Sequence, residues 1–342
     1  MTAGVAGIAI VGCGLIGQKR ARALGPARLV CCVDTDVVRA EALARTAPGV
    51  VVVADWRDAV TRADVGIVVV ATTNDALAEV TRAAVHAGKH VLVEKPAARS
   101  LKEIDGVLEA AQGSRSLVRV GFNHRYHPAL RKARDLFESG VLGEMMFVRG
   151  RYGHGGRVGY EREWRANPQV SGGGELIDQG VHLIDLARWF LGEFVHVDGF
   201  AHTYFWQMPV DDNAFLMLRT ASDQTAWLHV SCTEWKNLFS FELYGRTGKL
   251  HLEGLGGSYG LERLAYYRML PEMGPPETTI WEYPGADRSW DLEFTEFLDD
   301  IRIGRRPAAG LEAARAVLAI VDAIQRRSGY DFEARSSGAP RR

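Results

Sequence analysis

Short apolar runs rich in β-branched residues alternate with helically spaced segments through the first third of the chain. Apolar runs bounded by turn residues are typical of strands buried in a parallel sheet, and apolar residues three to four positions apart indicate helices. This alternation predicts an α/β domain. The predicted strands are 7–12, 29–33, 50–53, 65–71, 90–93 and 117–121, and the predicted helices are one that begins after residue 17, 36–46, 56–62, 75–87 and 100–113.

A different rhythm follows between residues 194 and 283, where polar and apolar residues alternate over several runs. Such alternation is typical of strands with one buried face, so this region predicts an α+β domain with a mainly antiparallel open sheet and helices on one face. The predicted strands include 145–152, 195–206, 214–219, 226–232 and 239–244, and the predicted helices are 127–139, 289–303 and 310–327. The sequence therefore predicts two domains, 1–123 and 124–330, followed by a polar tail at 331–342.

Composition narrows the classes of partner. With 342 residues, 47% of them hydrophobic, the chain is long enough for two cores, and its formal charge of −1 argues against a nucleic-acid partner. Four cysteines lack the spacing of a metal site, and they are predicted to be buried thiols in a reducing compartment. The first residues lack a basic segment, and the apolar runs are too short to span a bilayer, so a cytoplasmic protein without a membrane partner is predicted.

A glycine-rich turn follows the first predicted strand. Gly12, Gly14 and Gly17 form G-x-G-x-x-G between that strand and a helix. In this context the first glycine permits a tight turn, the second lets a pyrophosphate approach the backbone, and the third lets helix and strand pack closely. The sequence therefore predicts a dinucleotide site that includes these glycines together with Leu15 and Ile16.

The second predicted strand ends in an acid, Asp34. A carboxylate at this position hydrogen-bonds the ribose hydroxyls of NAD and repels the 2′-phosphate of NADP. Thr35 and Arg39 complete the predicted contacts of this region. Arg39 favours NADP, but it lies a helical turn further on and does not remove the charge of Asp34. NAD is therefore the predicted cofactor, and NADP is less favoured.

Two further strand ends carry candidate residues. Thr72, Thr73 and Asn74 follow the fourth strand, and Glu94 and Lys95 follow the fifth. Nucleotides bind at the carboxyl ends of strands in open α/β sheets, so all five residues are predicted near the cofactor. A proline follows Lys95 and restricts its backbone, which predicts a rigidly held amine that shares in proton transfer. The alternative is a solvated loop lysine.

The segment from residue 171 to 189 predicts an amphipathic helix after three glycines. Asp178, His182 and Asp185 stand at positions i, i+4 and i+7 and so share one face of that helix. Short carboxylates around an imidazole suit proton transfer near neutral pH. The alternative is a polar stripe that merely faces solvent.

Together these motifs resemble one family. The chain is similar to the glucose–fructose oxidoreductase and inositol dehydrogenase family, often written Gfo/Idh/MocA, over essentially all of residues 5–330. The motifs that carry the resemblance are G-x-G-x-x-G at 12–17, Ala-Thr-Thr-Asn at 71–74, Glu-Lys-Pro at 94–96 and Gly-Gly-Gly-x-Leu-x-Asp-x-Gly-x-His-x-x-Asp at 172–185. This chain departs from the family's usual motif at Thr73 and Leu77, where family members often have proline and histidine.

The resemblance implies a Rossmann domain, an open-sheet second domain and a catalytic set made of Lys95, Asp178 and His182. It also implies that Trp164 and Arg165, in a glycine- and aromatic-bearing loop, lie near cofactor and substrate. Asn123 joins the expected cofactor contacts. The expected substrate-binding residues are Lys95, Arg125, Tyr152, Arg165, Asp178 and His182. No metal site is expected, because no His, Cys or Asp cluster has ligand spacing.

The predicted function is an NAD(P)-dependent dehydrogenase that acts on CH–OH groups of a sugar, an amino or nucleotide sugar, or a cyclitol. The resemblance implies a homodimer or homotetramer formed through the open face of the second sheet. Basic residues at 125, 157, 165 and 236 suit an anionic substrate, whereas acids at 161, 163 and 234 suit an amino sugar. Two other functions remain open, namely an NAD-dependent glycosidase and an NAD-binding regulator without catalysis.

Overall fold

The computed structural model describes residues 7–272 and 274–330, so the predicted tail at 331–342 lies outside the described residues. The first part of the chain alternates strands and helices, as its apolar pattern predicts. In order these are β1 (Gly7–Val11), α1 (Leu15–Arg22), β2 (Leu29–Val33), α2 (Val37–Ala44), β3 (Val51–Val52), α3 (Trp56–Thr61), β4 (Val65–Val70), α4 (Asn74–His86), β5 (His90–Glu94), α5 (Leu101–Ala111) and β6 (Val118–Gly121).

The second part of the chain contains most of the antiparallel strands. Its elements are α6 (Pro128–Glu138), β7 (Met145–Gly153), α7 (Pro168–Ser171), α8 (Val181–Leu191), β8 (Phe194–His202), β9 (Asn213–Thr220), β10 (Thr225–Ser231), β11 (Leu238–Gly245), β12 (Gly248–Glu253), β13 (Glu262–Arg268), β14 (Glu277–Tyr283), α9 (Ser289–Ile303) and α10 (Leu311–Arg327). A π-helical turn, Leu176–Gly180, leads directly into α8.

The first sheet is parallel throughout, with the strand order β3-β2-β1-β4-β5-β6. Strands β1 and β2 are buried at every residue, which is why they read as continuous apolar runs rather than as alternating ones. The order changes direction at β1, and the loop after β1 is the glycine turn. The predicted Rossmann architecture is confirmed.

The second sheet has the order β14-β13-β12-β11-β7-β10-β9-β8. Its pairs are antiparallel except β7 with β10. Helix α8 packs on β7 and β10, and α6 packs on β12, β13 and β14. Met217 and Trp227, which are paired on neighbouring strands, remain about half exposed at 52% and 42%. The predicted open sheet, with helices on one face, is therefore confirmed.

Strand β8 differs from the prediction because it ends at His202, four residues before the end of the predicted run at 206. The backbone N–H groups of Tyr204, Phe205 and Trp206 turn instead to the buried carboxylate of Asp212. Because the Asp212 carboxylate accepts these three backbone hydrogen bonds, the chain turns away from the sheet after His202. Alternation of residue types alone does not reveal this turn.

The described residues divide into two compact units. Unit 1 comprises 7–122, Gln169–Gly172 and Trp290–Leu318, and unit 2 comprises Asn123–Pro168, Gly173–Ser289 and 319–330. The first boundary falls next to residue 123, where the first domain is predicted to end. Residues 290–318, which the sequence assigns to the second domain, belong to unit 1.

Helix α9 belongs with the first sheet because its aromatic side chains complete that core. Phe294 and Phe297 lie in one apolar cluster with Ile8, Ile10 and Leu92. Within the described part of the chain, no helix combines the length and apolar character that crossing a membrane would require.

Two arginines in unit 1 are fully buried and paired with carboxylates. Arg20 Nε lies 2.6 Å from Glu94 Oε1, and its Nη1 lies 2.6 Å from Glu293 Oε2. Arg119 pairs with Asp300 on α9. Burial, the largest influence on Glu293, raises the pKa of its carboxyl, although Arg20 opposes that rise. The pairs join α1, β5 and β6 to a helix that lies far along the chain.

Candidate active site

The glycine turn in unit 1 has the geometry that a pyrophosphate loop needs. Gly12 has a φ of +93°, and a Cβ there would lie 2.4 Å from the carbonyl oxygen of Ala71. A Cβ on Gly17 would lie 1.9 Å from the carbonyl oxygen of Gly12, so helix and loop pack without room for a side chain. A Cβ on Gly14 would meet nothing within 4 Å. The space before the N-terminus of α1 is open where a phosphate would approach.

Asp34 at the end of β2 closes this loop. Its Oδ2 accepts a hydrogen bond from Cys13 N at 2.6 Å, and its Oδ1 accepts one from Asp36 N at 2.8 Å. The carboxylate is thus fixed beside the glycine turn with acceptor capacity left for ribose hydroxyls. Thr35 is exposed, and Arg39 pairs with Asp36 at 3.1 Å. The guanidinium of Arg39 therefore already has a neighbouring carboxylate.

The other residues predicted to contact the cofactor differ in how exposed they are. Leu15 is 72% exposed at the start of α1, and Ile16 is half-buried. Thr72 and Thr73 are half-buried, and Thr73 Oγ1 donates to Asp75 Oδ1 at 2.6 Å.

Asn74, by contrast, is buried. Its Nδ2 donates to the carbonyl oxygen of Ser171 at 2.8 Å. This bond gives Asn74 a role in holding residues 169–172 within unit 1.

Glu94 and Lys95 end β5 with different environments. Glu94 is buried and pairs with Arg20, whereas Lys95, the next residue, is half-buried. Arg20 lies on α1, and its guanidinium carbon sits 4.4 Å from the ring centre of Trp290. The ion pair therefore links the helix of the glycine turn to the strand end that presents Lys95.

In unit 2 the predicted single helix is divided into two parts. Gly173 and Gly174 precede the π-helical turn that contains Asp178, and α8 with His182 follows. A buried acceptor fixes this arrangement, since the Asp211 carboxylate accepts from Gly174 N at 3.0 Å and from Leu176 N at 2.8 Å. A Cβ on Gly174 would lie 1.9 Å from the carbonyl oxygen of Asp211. Only glycine therefore fits at residue 174.

All three polar residues of the predicted face are buried. Asp178, His182 and Asp185 are 9%, 4% and 1% exposed, so the alternative of a stripe that faces solvent is wrong. Asp178 Oδ2 accepts from Arg165 Nε at 2.9 Å. Asp185 Oδ2 accepts from Arg125 Nε at 2.7 Å. The spacing places the three residues together, but each carboxylate pairs with an arginine that lies outside this segment.

His182 lies in an aromatic environment. Its ring stacks on His124 with centroids 3.7 Å apart and an interplanar angle of 16°. The ring of Tyr152 lies 6.2 Å from that of His182, edge to face. Burial raises the pKa of Tyr152 well above the ordinary value, and the nearby Tyr259 adds to this rise. Tyr152 therefore stays neutral and can donate a hydrogen bond but does not act as a base at physiological pH.

Three more predicted residues have defined places in unit 2. Asn123 is buried, with Nδ2 donating to Ser289 Oγ at 2.9 Å. The Arg165 guanidinium lies 4.7 Å from the ring centre of Trp164. The neighbouring Asp178 carboxylate, its largest influence, raises the pKa of Arg165. Trp164, Arg165 and Asp178 therefore form one local group.

The sequence interpretation missed four residues that shape this site, namely His124, Glu175, Asp211 and Asp212. Adjacent aspartates in an apolar and aromatic stretch are a usable signal, because buried carboxylates must find donors. Glu175 Oε2 lies 3.6 Å from His154 Nε2. Burial by itself lowers the pKa of His154, but Glu175 outweighs it and the pKa is raised. Among the residues that the structure describes, no group of three or more His, Cys, Asp or Glu side chains is arranged to hold a metal ion.

Comparisons with known proteins identify the family to which the chain belongs. Residues 6–122 match the model described as an oxidoreductase family with an NAD-binding Rossmann fold, and residues 130–251 match the GFO/IDH/MocA C-terminal domain. The chain therefore belongs to the Gfo/Idh/MocA family of oxidoreductases.

Curated relatives include dehydrogenases of anhydrosugars and cyclitols. The levoglucosan dehydrogenase of Pseudarthrobacter phenanthrenivorans is 27% identical over 58% of this chain and 57% of that protein. Inositol 2-dehydrogenase 2 of Saccharopolyspora erythraea is 33% identical over 62% of each chain. Inositol 2-dehydrogenase of Salmonella typhimurium is 28% identical over 87% of each chain. The first two matches span less than two thirds of the relatives' lengths.

Solved structures share the fold at low identity. Levoglucosan dehydrogenase in complex with NADH has a TM-score of 0.86 at 23% identity, covering 94% of this chain and 96% of the other. GenD2 from gentamicin A biosynthesis, in complex with NAD, has a TM-score of 0.81 at 23% identity, covering 94% of each.

Proposed function

We propose that this protein is an NAD(H)-dependent dehydrogenase that acts on a secondary alcohol of a sugar, a sugar derivative or a cyclitol. One observation carries the proposal: a glycine loop closed by Asp34 occurs in the same chain as a buried acid–base pair, Asp178 and His182. The relatives named as levoglucosan and inositol dehydrogenases support this class of substrate.

The residues of unit 1 fit a dinucleotide. The open space at Gly14 and the N-terminus of α1 suit a pyrophosphate, and the carboxylate of Asp34 suits ribose hydroxyls. Bound NAD⁺ would supply the hydride acceptor at its nicotinamide ring. Asp34 disfavours the extra phosphate of NADP by charge repulsion.

The proposed proton chemistry uses three side chains. His182 takes the proton of the substrate hydroxyl, as suits an imidazole near neutral pH. Asp178, one turn earlier and held by Arg165, stabilises the imidazolium that forms. Lys95 polarises the same oxygen and stabilises the developing alkoxide.

The test measures NADH formation by purified protein with NAD⁺ and a panel of free sugars, inositols, amino sugars and nucleotide sugars. The Lys95→Ala variant is measured in parallel. His86→Asn, at an exposed histidine of α4, is the control for effects of making and purifying a variant. A signal that is lost in Lys95→Ala and kept in the control supports the dehydrogenase. Release of an aglycone without net NADH would instead favour the glycosidase chemistry, and tight NAD binding with neither signal would favour the regulator.

We also infer that copies of the chain associate through the open face of the second sheet. Met217, Trp227 and Arg149 form one cross-strand row, and exposed Phe147 lies two residues from Arg149 on the same face. Exposed apolar residues in such a patch favour a partner surface. Trp227→Glu should lower the molar mass measured by light scattering, and an unchanged mass would contradict this interface.

A further inference from the structure

Three loops follow strand ends that lie at the same end of the second sheet. Strands β7 and β10 are parallel, and β8 runs in their direction because β9 is antiparallel to both β8 and β10. The loops that follow these strands therefore all begin at the same end of the sheet. They comprise residues 154–160, 203–212 and 232–237. Backbone bonds tie two of them together, since Glu234 N donates to His154 O at 3.0 Å.

These loops display aromatic side chains to solvent. Tyr204, Phe205 and Trp235 are 60%, 55% and 65% exposed. The rings of Phe205 and Trp235 meet edge to face with centroids 4.7 Å apart, and Phe205 meets Trp206 in the same way at 5.1 Å. We call these four residues the aromatic platform. Exposed large aromatics in one cluster are costly in water, which argues for a ligand.

The platform is held in place by buried polar groups. The Asp212 carboxylate, fully buried, accepts from the backbone N–H groups of residues 204, 205 and 206 at 2.8, 2.7 and 3.0 Å. Trp206 Nε1 donates to the carbonyl oxygen of Cys232 at 2.9 Å. Trp235 has a φ of +55°, a left-handed conformation that is unusual for a bulky residue. Its ring is thus displayed at a backbone cost of the kind found at functional sites.

The same short segment anchors the candidate acid–base turn. Asp211 holds the start of the turn that carries Asp178, and Asp212, the next residue, holds the aromatic platform. A second connection runs through rings, because Trp206 lies 5.6 Å from Tyr160, and Tyr160 lies 5.6 Å from His154. The platform therefore has a fixed position relative to Asp178 and His182 within unit 2.

From this arrangement we propose that the aromatic platform is a subsite for a second ring, so that the substrate is a glycoside or disaccharide rather than a free monosaccharide. Sugar C–H bonds and the edges of an aromatic aglycone both pack favourably on aromatic ring faces, whose quadrupole is negative. Glu234 and Lys236 flank Trp235 in sequence and supply polar groups for hydroxyls. This inference rests on the proposed dehydrogenase for the chemistry at the first ring.

The test compares affinities within pairs of ligands, by calorimetry on the full chain with NADH present. Each free hexose is paired with its phenyl β-glycoside, and glucosamine is paired with its phenyl glycoside. The phenyl member of at least one pair should bind about 10-fold more tightly. Trp235→Ala should remove that gain and leave binding of the free sugar unchanged, and Phe205→Ala should remove part of it. Trp281→Ala, at an aromatic residue on β14, the edge strand at the other side of the sheet from β8, should keep the gain.

Equal binding within every pair, including no binding at all, would overturn the subsite. So would a Trp235→Ala variant that weakens both members of a pair equally. A lower molar mass of Trp235→Ala with the preference for phenyl glycosides intact would assign the platform to contacts between copies and overturn the proposal. A phenyl glycoside that binds through Trp235 but yields no NADH with NAD⁺ would support the subsite and count against the dehydrogenase.

Discussion

The cofactor loop of unit 1 and the acid–base turn of unit 2 are held in place in different ways. In unit 1 the cofactor loop consists of backbone, with Gly12, Gly14 and Gly17 giving the turn and a helix N-terminus, and Asp34 bonding to the loop's own N–H. In unit 2 the acid–base turn and α8 depend on side-chain pairs with residues elsewhere in the chain. Arg165 and Asp178 are 13 residues apart in sequence, whereas Arg125 and Asp185 are 60 apart.

This difference has consequences for how the loop and the turn tolerate change. A backbone loop needs only that certain positions lack a Cβ, so its flanking residues are free to vary. A side-chain site needs each partner to keep both its chemistry and its position, because an unpaired buried charge is costly. We therefore expect substitutions in unit 2 to affect catalysis and those in the loop of unit 1 to affect cofactor binding.

The variant with the largest expected effect should change catalysis without changing cofactor binding. His182→Asn removes the proposed base and should lower kcat by about 10²- to 10⁴-fold, because a positioned acid–base group contributes that much. The dissociation constant of NAD, measured by calorimetry, should stay within about twofold of the wild-type value, since the dinucleotide loop is a separate backbone structure. A kcat within tenfold of wild type, with full occupancy by NAD, would rule out His182 as the base.

Arg20→Met tests how much the buried ion pairs of unit 1 contribute to its stability. The change leaves Glu94 and Glu293 buried without their cation, and breaking such a pair typically costs about 3–5 kcal/mol. Urea unfolding should report a loss of that size. Arg39→Met, at a mostly exposed arginine, is the matched control and should change stability by less than about 1 kcal/mol. Equal stability of the two variants would mean that the buried network contributes little.

Asp211 provides a pH-dependent test within unit 2. Burial, its largest influence, raises the pKa of the Asp211 carboxyl to about 7, although the N–H groups of Leu176 and Gly174 oppose the rise. Since the folded-state pKa lies above the unfolded value, stability from this group is complete below about pH 4 and is lost as pH rises through about 7.

Asp211→Asn should therefore gain stability relative to wild type as pH increases from 4 to 8. The relative gain is at most about 4 kcal/mol across that window, from a pKa difference of about three units. Urea unfolding of both proteins at each pH measures it. A constant difference between the two proteins would show that Asp211 does not titrate in this range.

The smallest expected effect concerns the choice of cofactor. Asp34→Asn keeps an acceptor for Cys13 N and removes the negative charge, so the loop should persist while discrimination against NADP relaxes by about 10-fold. Binding of NAD and NADP by calorimetry measures the ratio. An unchanged ratio would mean that selectivity comes from other groups, such as the Arg39–Asp36 pair at the start of α2.

Local patterns predict most of the fold because burial and periodicity are themselves local. Strands β1 and β2 are buried at every residue, so each reads as an apolar run, and the glycine turn is recognisable because only Gly fits at residues 12 and 17. The membership of α9 in unit 1 was not predictable in this way. It depends on Phe294 and Phe297 reaching a core made by residues nearly three hundred positions earlier.

The candidate site of unit 2 is predictable only in part for a related reason. Helical spacing correctly groups Asp178, His182 and Asp185, but it assumes one regular helix and misses the π-helical turn. That turn is set by the Asp211 carboxylate, which lies 37 residues from Gly174. The stacking of His124 on His182 has no signature in sequence, since it requires two elements to pack with their rings parallel.

The return of α9 to the first sheet also bears on how the chain folds as it is synthesised. Glu94, one partner of Arg20, is synthesised 74 residues after it, but Glu293 follows Arg20 by 273 residues and Asp300 follows Arg119 by 181. Until then the nascent Rossmann unit must hold two cations without the last two of these acids. We therefore expect a fragment that ends at residue 122 not to fold stably by itself, and unit 1 to complete its fold only after α9 has been synthesised.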